Sequence, residues 1–169
     1  MADTYVLISS VTVGSGGTSS INFTSIPGTY TDLLLKASTR SNVNGYGTDM
    51  TISINGSTSS FSSRRLYGYS NGIYNDVETN KFGLVNGGTS TSNTFSSNDI
   101  YLHNYAGSTH KTFSVDGTVE NNSGSVYLVT LTGTLWSNTS PITSLSISDN
   151  TGATFQQYSI ASLYGIKNS

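Results

Sequence analysis

Short runs of β-branched and aromatic residues recur along this chain, separated by clusters of Gly, Asn and Ser. That is the rhythm of strands joined by turns. Runs near residues 4–13, 19–25, 31–40, 48–55, 61–69, 99–105, 111–120, 125–136, 142–149 and 154–166 each predict a strand. In four of them apolar and polar positions alternate with a period of two. Leu33, Leu35 and Ala37 oppose Asp32, Lys36, Ser38 and Arg40, with Leu34 breaking the polar face. Met50, Ile52 and Ile54 oppose Thr51, Ser53 and Asn55. Phe113, Val115, Gly117 and Val119 oppose Thr112, Ser114, Asp116, Thr118 and Glu120. Tyr158 and Ile160 oppose Gln157, Ser159 and Ala161. Antiparallel sheets with one dry and one wet face require this alternation.

Turn chemistry punctuates the runs. Gly14-Ser15-Gly16-Gly17, Pro27-Gly28, Asn55-Gly56 and Asn121-Asn122-Ser123-Gly124 fall between predicted strands, and Asp149-Asn150-Thr151-Gly152 predicts a last hairpin. The stretch 70–98 has loose hydrophobic spacing and reads either as a long loop or as short, poorly formed strands. A loop of that length in a compact domain is usually functional or an interface. Two runs are apolar on both faces, Tyr5-Val6-Leu7-Ile8 and Val126 to Leu131. Such strands belong in the middle of a sheet or at a subunit contact. The expected fold is all-β, a single domain over residues 1–169. It is a two-sheet antiparallel sandwich of about eight to ten strands, jelly-roll-like.

Composition narrows the function classes. Of 169 residues, 31 are Ser, 24 Thr, 16 Asn and 18 Gly, and only 9% are charged. Typical soluble domains carry roughly 25% charged residues. Five alanines and few Glu, Lys or Arg leave little from which to build helices. Eleven Tyr and six Phe distinguish the chain from a disordered one. A formal net charge of −2 provides no field for nucleic acid. With no cysteine there is no disulfide framework and no thiolate site. No apolar run approaches the ~20 residues of a membrane helix. No basic-then-apolar leader is visible at the N-terminus, so synthesis in a cytoplasm is expected, with exit by lysis or as part of a larger object.

Candidate chemistry is sparse. Gly68-Tyr69-Ser70-Asn71-Gly72 matches the G-x-S-x-G string of a nucleophile elbow, but no helical segment follows it, and a turn explains it equally. His103 and His110, with Asp99 and Asp116 nearby, lack zinc-ligand spacing. Asp149 and Asn150, with Asp76 and Glu78, have the oxygens calcium uses, and also the residues turns use. Asp116 and Glu120 share one strand face about 13 Å apart, too far for an inverting glycosidase pair. Asn22, Asn55, Asn121 and Asn138 fit the glycosylation sequon, which follows from abundant Asn, Ser and Thr. No cofactor or metal is expected. The segment Arg64-Arg65-Leu66-Tyr67-Gly68-Tyr69, followed by Tyr74, concentrates aromatics around the only adjacent basic pair. Arg and Tyr are enriched at interface hot spots. Arg64, Arg65, Tyr67, Tyr69 and Tyr74, with Tyr5 and Leu7, are the candidate contact residues for a partner or a glycan.

Both ends carry a resemblance. Tyr5-Val6-Leu7-Ile8-Ser9-Ser10 and the run from Ile21 to Leu33 through Pro27-Gly28-Thr29-Tyr30 resemble the opening of small structural proteins of tailed bacteriophages, notably those of marine bacteria. Ile142-Thr143-Ser144-Leu145 and the run from Tyr158 to Lys167 look like the close of the same group. The resemblance covers roughly the first 40 and last 30 residues and carries no catalytic residue. It implies a non-enzymatic virion component, a homotrimeric jelly-roll decoration (cement) protein on the major capsid protein shell. Tail or fibre components, or a carbohydrate-binding module contacting host surface glycans, are the alternatives.

Overall fold

The computed structural model describes residues 4–121 and 127–167. The predicted turn at Asn122–Gly124 and the start of the following run, 125–126, lie outside the described residues. Twelve strands form: β1 (Tyr5–Thr12), β2 (Ser20–Phe23), β3 (Asp32–Ser38), β4 (Gly47–Ile54), β5 (Phe61–Tyr69), β6 (Gly72–Glu78), β7 (Gly83–Asn86), β8 (Ser97–Leu102), β9 (Lys111–Glu120), β10 (Tyr127–Trp136), β11 (Leu145–Asp149) and β12 (Ile160–Ile166). All ten predicted strands are present, and the stretch 70–98 supplies β6 and β7 in addition. No helix occurs among the described residues.

The strands make two antiparallel sheets, one of eight in the order β1-β12-β3-β8-β9-β10-β5-β6 and one of four in the order β2-β11-β4-β7. The orders β1-β12-β3-β8 and β2-β11-β4-β7 interleave as the chain passes back and forth between sheets, which is the wiring of a jelly roll. Two hairpin-connected pairs, β9–β10 and β5–β6, then widen one sheet only. β7 lies against β8, β9 and β10, so β5 and β6 overhang the smaller sheet.

The alternation read from sequence positions the core. Leu33, Leu35 and Ala37, then Met50, Ile52 and Ile54, then Phe113, Val115 and Val119, are all buried. Under β5, β9 and β10 an aromatic cluster closes one end, with Phe61 5.1 Å from Phe82 edge-on and 6.4 Å from Trp136 stacked. Two expectations need correction. β11 and β12 belong to different sheets, so Asp149–Gly152 turns the chain between layers rather than closing a hairpin. Near the C-terminus the alternation runs in the opposite sense: Ser159 and Ala161 are buried, while Tyr158 and Ile160 are exposed. Ser159 determines this, because its hydroxyl accepts from the Arg40 N–H and donates to the Arg40 carbonyl, both at 3.1 Å.

Arg40 also contradicts its place on the wet face. Its guanidinium is buried and donates to the carbonyls of Gly88 (3.1 Å), Ser90 (2.9 Å), Thr91 (2.9 Å) and Thr94 (3.1 Å). The loop 87–96 is thereby wound around one cation, and desolvation lowers the Arg40 pKa. Close backbone approach completes the docking: a Cβ on Gly87 would lie 2.0 Å from the Gly45 carbonyl oxygen. Lys111 plays the same part at the other end, its ammonium donating to the carbonyls of Gly107, Thr109 and Thr139, with burial lowering its pKa. Arg40→Met keeps the aliphatic stem but removes the donor shared by four carbonyls, that of Ser90 buried and the other three partly so. It should cost about 2–3 kcal/mol of unfolding free energy in urea titration and speed amide exchange across 87–96, with β4 and β9 unaffected.

Candidate functional site

Each strand of the eight-stranded sheet alternates between the core and an outer face, and that outer face is where solvent-accessible chemistry collects. Pairing aligns one row across it: Tyr101 (β8) opposite Ser114 (β9), Ser114 opposite Gly133 (β10), Gly133 opposite Arg64 (β5), and Arg64 opposite Val77 (β6). A groove of about 590 Å³ lies over this row, with Tyr101 and His103 along one side and Arg64 along the other.

The Tyr101 and His103 side is held from below by Asp32, the first residue of β3. Its carboxylate is buried and accepts from the Tyr101 hydroxyl (2.6 Å) and the Asn104 N–H (2.7 Å), and His103 Nδ1 lies 2.9 Å from it. The Tyr101 hydroxyl is held in this way, while the His103 side chain stays largely exposed beside the same carboxylate. The Asp32 hydrogen bond, aided by burial, pushes the Tyr101 hydroxyl up to about 12. The alternation in sequence reads Asp32 as a solvent-facing residue, and nothing in the linear pattern pairs it with residues some seventy positions on. The run Asp32-Leu33-Leu34-Leu35 does carry one signal, an acid at the entrance of a buried strand.

Beyond Arg64 the outer face becomes aliphatic. Leu66, Ile73, Val77, Val129 and Leu131 are all exposed, Ile73 at 81%. Leu131 pairs with Leu66, and Val129 with Gly68 opposite Ile73, so the side chains form one patch. β10 is patterned inside out: Thr130, Thr132 and Thr134 are buried while Val129 and Leu131 face solvent. The Thr132 hydroxyl donates to the Phe82 carbonyl at 3.0 Å.

The inner face of this overhang is polar. Arg65 donates to Asp49 (2.5 Å) and to Asp76 (3.1 and 2.8 Å), with Glu78 at 3.9 Å bridging to Lys81. Burial pulls the Arg65 pKa down, but the Asp76 and Asp49 carboxylates more than offset it, so the guanidinium stays charged. Arg65 also lies 4.6 Å over the Tyr67 ring, which stacks on Tyr74 at 5.4 Å.

The predicted contact residues therefore separate. Arg64 is exposed on the outer face, whereas Arg65 is consumed by an internal ion cluster. Tyr67, Tyr69 and Tyr74 lie on the inner face of the overhang, Tyr69 and Tyr74 nearly half exposed. Tyr5 and Leu7, 58% and 54% exposed, lie on β1 at the opposite edge of the same sheet. β1 is an edge strand, so it does not take the central position that its two apolar faces also allowed. Gly68-Tyr69-Ser70-Asn71-Gly72 is the β5–β6 hairpin turn with Ser70 at φ 51°, so the strand-to-helix geometry of a nucleophile elbow is absent. Asp149 caps its own turn through Thr151, and Asp76 and Glu78 belong to Arg65. Among the described residues no group of three His, Asp or Glu is placed to hold a metal ion. No family model, curated protein or solved structure matches this chain.

The Tyr101–Asp32 bond makes stability pH-dependent at the alkaline end. A hydroxyl with its folded pKa raised above the usual 10 contributes stability that is complete below pH 10. That stability disappears as pH rises through about 12. Urea midpoints of the parent and Tyr101→Phe should differ by a constant amount from pH 7 to 10 and converge by pH 12. A gap that persists at pH 12 would overturn the assignment to the protonated hydroxyl.

Proposed function

We propose that this chain is a structural assembly module. In keeping with the resemblance of its ends, it is a virion protein of tailed bacteriophages that forms a homotrimer and clamps the capsid shell as a decoration protein. The observation that supports this reading is the inside-out patterning of β10, which spends threonines on the interior and presents Val129 and Leu131 outward. Exposed aliphatic patches of this kind mark association surfaces.

The sheet edges support the same reading. Both free edges of the eight-stranded sheet carry exposed apolar side chains, Tyr5 and Leu7 on β1, Ile73 and Val77 on β6. Natural edges are usually protected by outward charge or proline. β1 has neither, and the two acids of β6 face Arg65. Two different apolar edges on one molecule suit a heterologous contact, in which one edge meets the other edge of the next copy. Such a contact closes into a ring when its rotation is a simple fraction of a turn. The jelly-roll core supplies a rigid frame that presents both edges without needing them for its own folding.

Light scattering on a sizing column should give a species near three times 17.8 kDa that persists on dilution. Ile73→Lys, at a site 81% exposed, should reduce it to a monomer with an unchanged circular dichroism spectrum. The trimer should co-sediment with bare phage shells. A parent protein that stays monomeric at high concentration would overturn the trimer.

A further inference from the structure

Most mid-strand glycines here have a packing reason. A Cβ on Gly117 would lie 2.6 Å from the Asn98 side-chain oxygen, and one on Gly165 would enter the Tyr30 ring at 2.3 Å. Gly133 has none. It is flanked by β9 and β5 in the middle of the wide sheet, its backbone is not in the left-handed region, and a Cβ there meets no atom within 4 Å. Glycine within a strand costs stability relative to residues with side chains, and it recurs where a ligand must approach the backbone. The vacant position is the floor of the groove.

The walls indicate what fits. Tyr101 and Arg64 are three strand spacings apart, about 14 Å between backbones, with only Ser114 and Gly133 between them. The volume of about 590 Å³ is in the range of small-molecule sites. Tyr101 is held through its hydroxyl to buried Asp32 and lines one side of the groove. His103 Nδ1 lies 2.9 Å from the same carboxylate. Ser62, Ser114 and His103 place hydrogen-bonding groups around the open position at Gly133, with Thr112 and Leu135 beside it. Arg64 lines the opposite side and makes no ion pair among the described residues, a planar fork suited to a carboxylate. A pyranose ring has apolar C–H faces and a rim of hydroxyls, and this groove matches both.

The geometry points to a saccharide site that selects an acidic sugar. The ring lies over Gly133 against Tyr101, its hydroxyls meet Ser114 and His103, and its carboxylate meets Arg64. All these residues come from one chain, so the site does not depend on the assembly proposed above.

The test is calorimetric titration of the full-length protein with trigalacturonate, a glucuronate disaccharide and sialyllactose, each against its methyl ester. At least one acid should bind saturably, and at least tenfold tighter than its ester. Gly133→Thr, which places a β-branched side chain in open space, should abolish that binding with no fall in the thermal midpoint. Arg64→Gln should remove the acid-over-ester preference while leaving ester binding unchanged, which keeps the assignment testable if Gly133→Thr perturbs the sheet. Absence of saturable binding by all three acids, or undiminished binding in Gly133→Thr, would overturn the site. Equal binding of acid and ester, or of an Asp/Glu peptide and the sugars, would overturn its selectivity. Light scattering on the same samples reports the trimer separately, so failure of one reading leaves the other standing.

Discussion

An eight-stranded sheet faced by four strands is twice as wide as its cover, and that mismatch organises the molecule. Strands lie about 4.8 Å apart, so the larger sheet spans roughly 34 Å between its outermost strands against roughly 14 Å for the smaller. Where the small sheet overlaps, the core is ordinary: Leu33, Leu35, Ile52, Ile147 and Leu163 are all essentially inaccessible. Beyond it the inner face of β6 and the adjoining half of β5 lies past the last strand of the smaller sheet. It is filled by an ion cluster on Arg65 that reaches Asp49 of β4 and by a stacked tyrosine pair, beside the buried hydroxyls of Thr130 and Thr132 on β10. A buried cation with two carboxylates is a costly substitute for hydrocarbon packing, and removing one partner would leave the others uncompensated. The polar interior of the overhang follows from geometry.

How much of this the linear sequence carries depends on whether the relevant contact is local. The alternation in Phe113–Glu120 needs only its own strand and is read without error, whereas the buried Lys111 that begins the strand lies outside that reading. Asn55-Gly56 closes a tight turn at φ 51° and 77°, with Ile54 and Ser57 exchanging both backbone hydrogen bonds. The stretch 70–98 stays open between a loop and short strands because its reasons are remote. β6 is ordered by Arg65 and Tyr67 across a hairpin, β7 pairs with β4, and the loop after it winds around Arg40. Four carbonyls on one guanidinium leave no hydrophobic period to find. The candidate site divides the same way. Arg64 and the tyrosines are visible as a cluster, but which of them share a face depends on register. Asp32, Tyr101 and His103 meet only through the β3–β8 pairing.

Register also explains why β10 can keep its leucines outside. A slip of one residue would bury Val129, Leu131 and Leu135 and expose the threonines, which hydrophobicity alone would favour. What holds the strand is at its end and on its neighbours. Trp136 is buried opposite Lys111 and Phe61, and Thr132 is bonded to the Phe82 carbonyl from the loop before β7. The indole has no comparable place on the outer face. Fixing one large side chain thus fixes the orientation of every other residue in the strand, and the outward aliphatics are a consequence the fold tolerates.

The magnitude of that outward surface constrains any assembly built on it. Covering five half-exposed aliphatic side chains is worth on the order of 5 kcal/mol per chain, at roughly 1 kcal/mol each. Association of two proteins costs an estimated ~4–15 kcal/mol in lost freedom. A single contact of this size leaves a pair of copies marginal. A closed ring of three changes the balance, because three interfaces form while only two associations are made, and the last interface closes within an already tethered complex. An aliphatic surface too small for a dimer can therefore sustain a ring, and sustains it better when the ring is seated on a repeating shell. Under the proposed assembly the small patch has its full effect only where the edges of several copies are satisfied together.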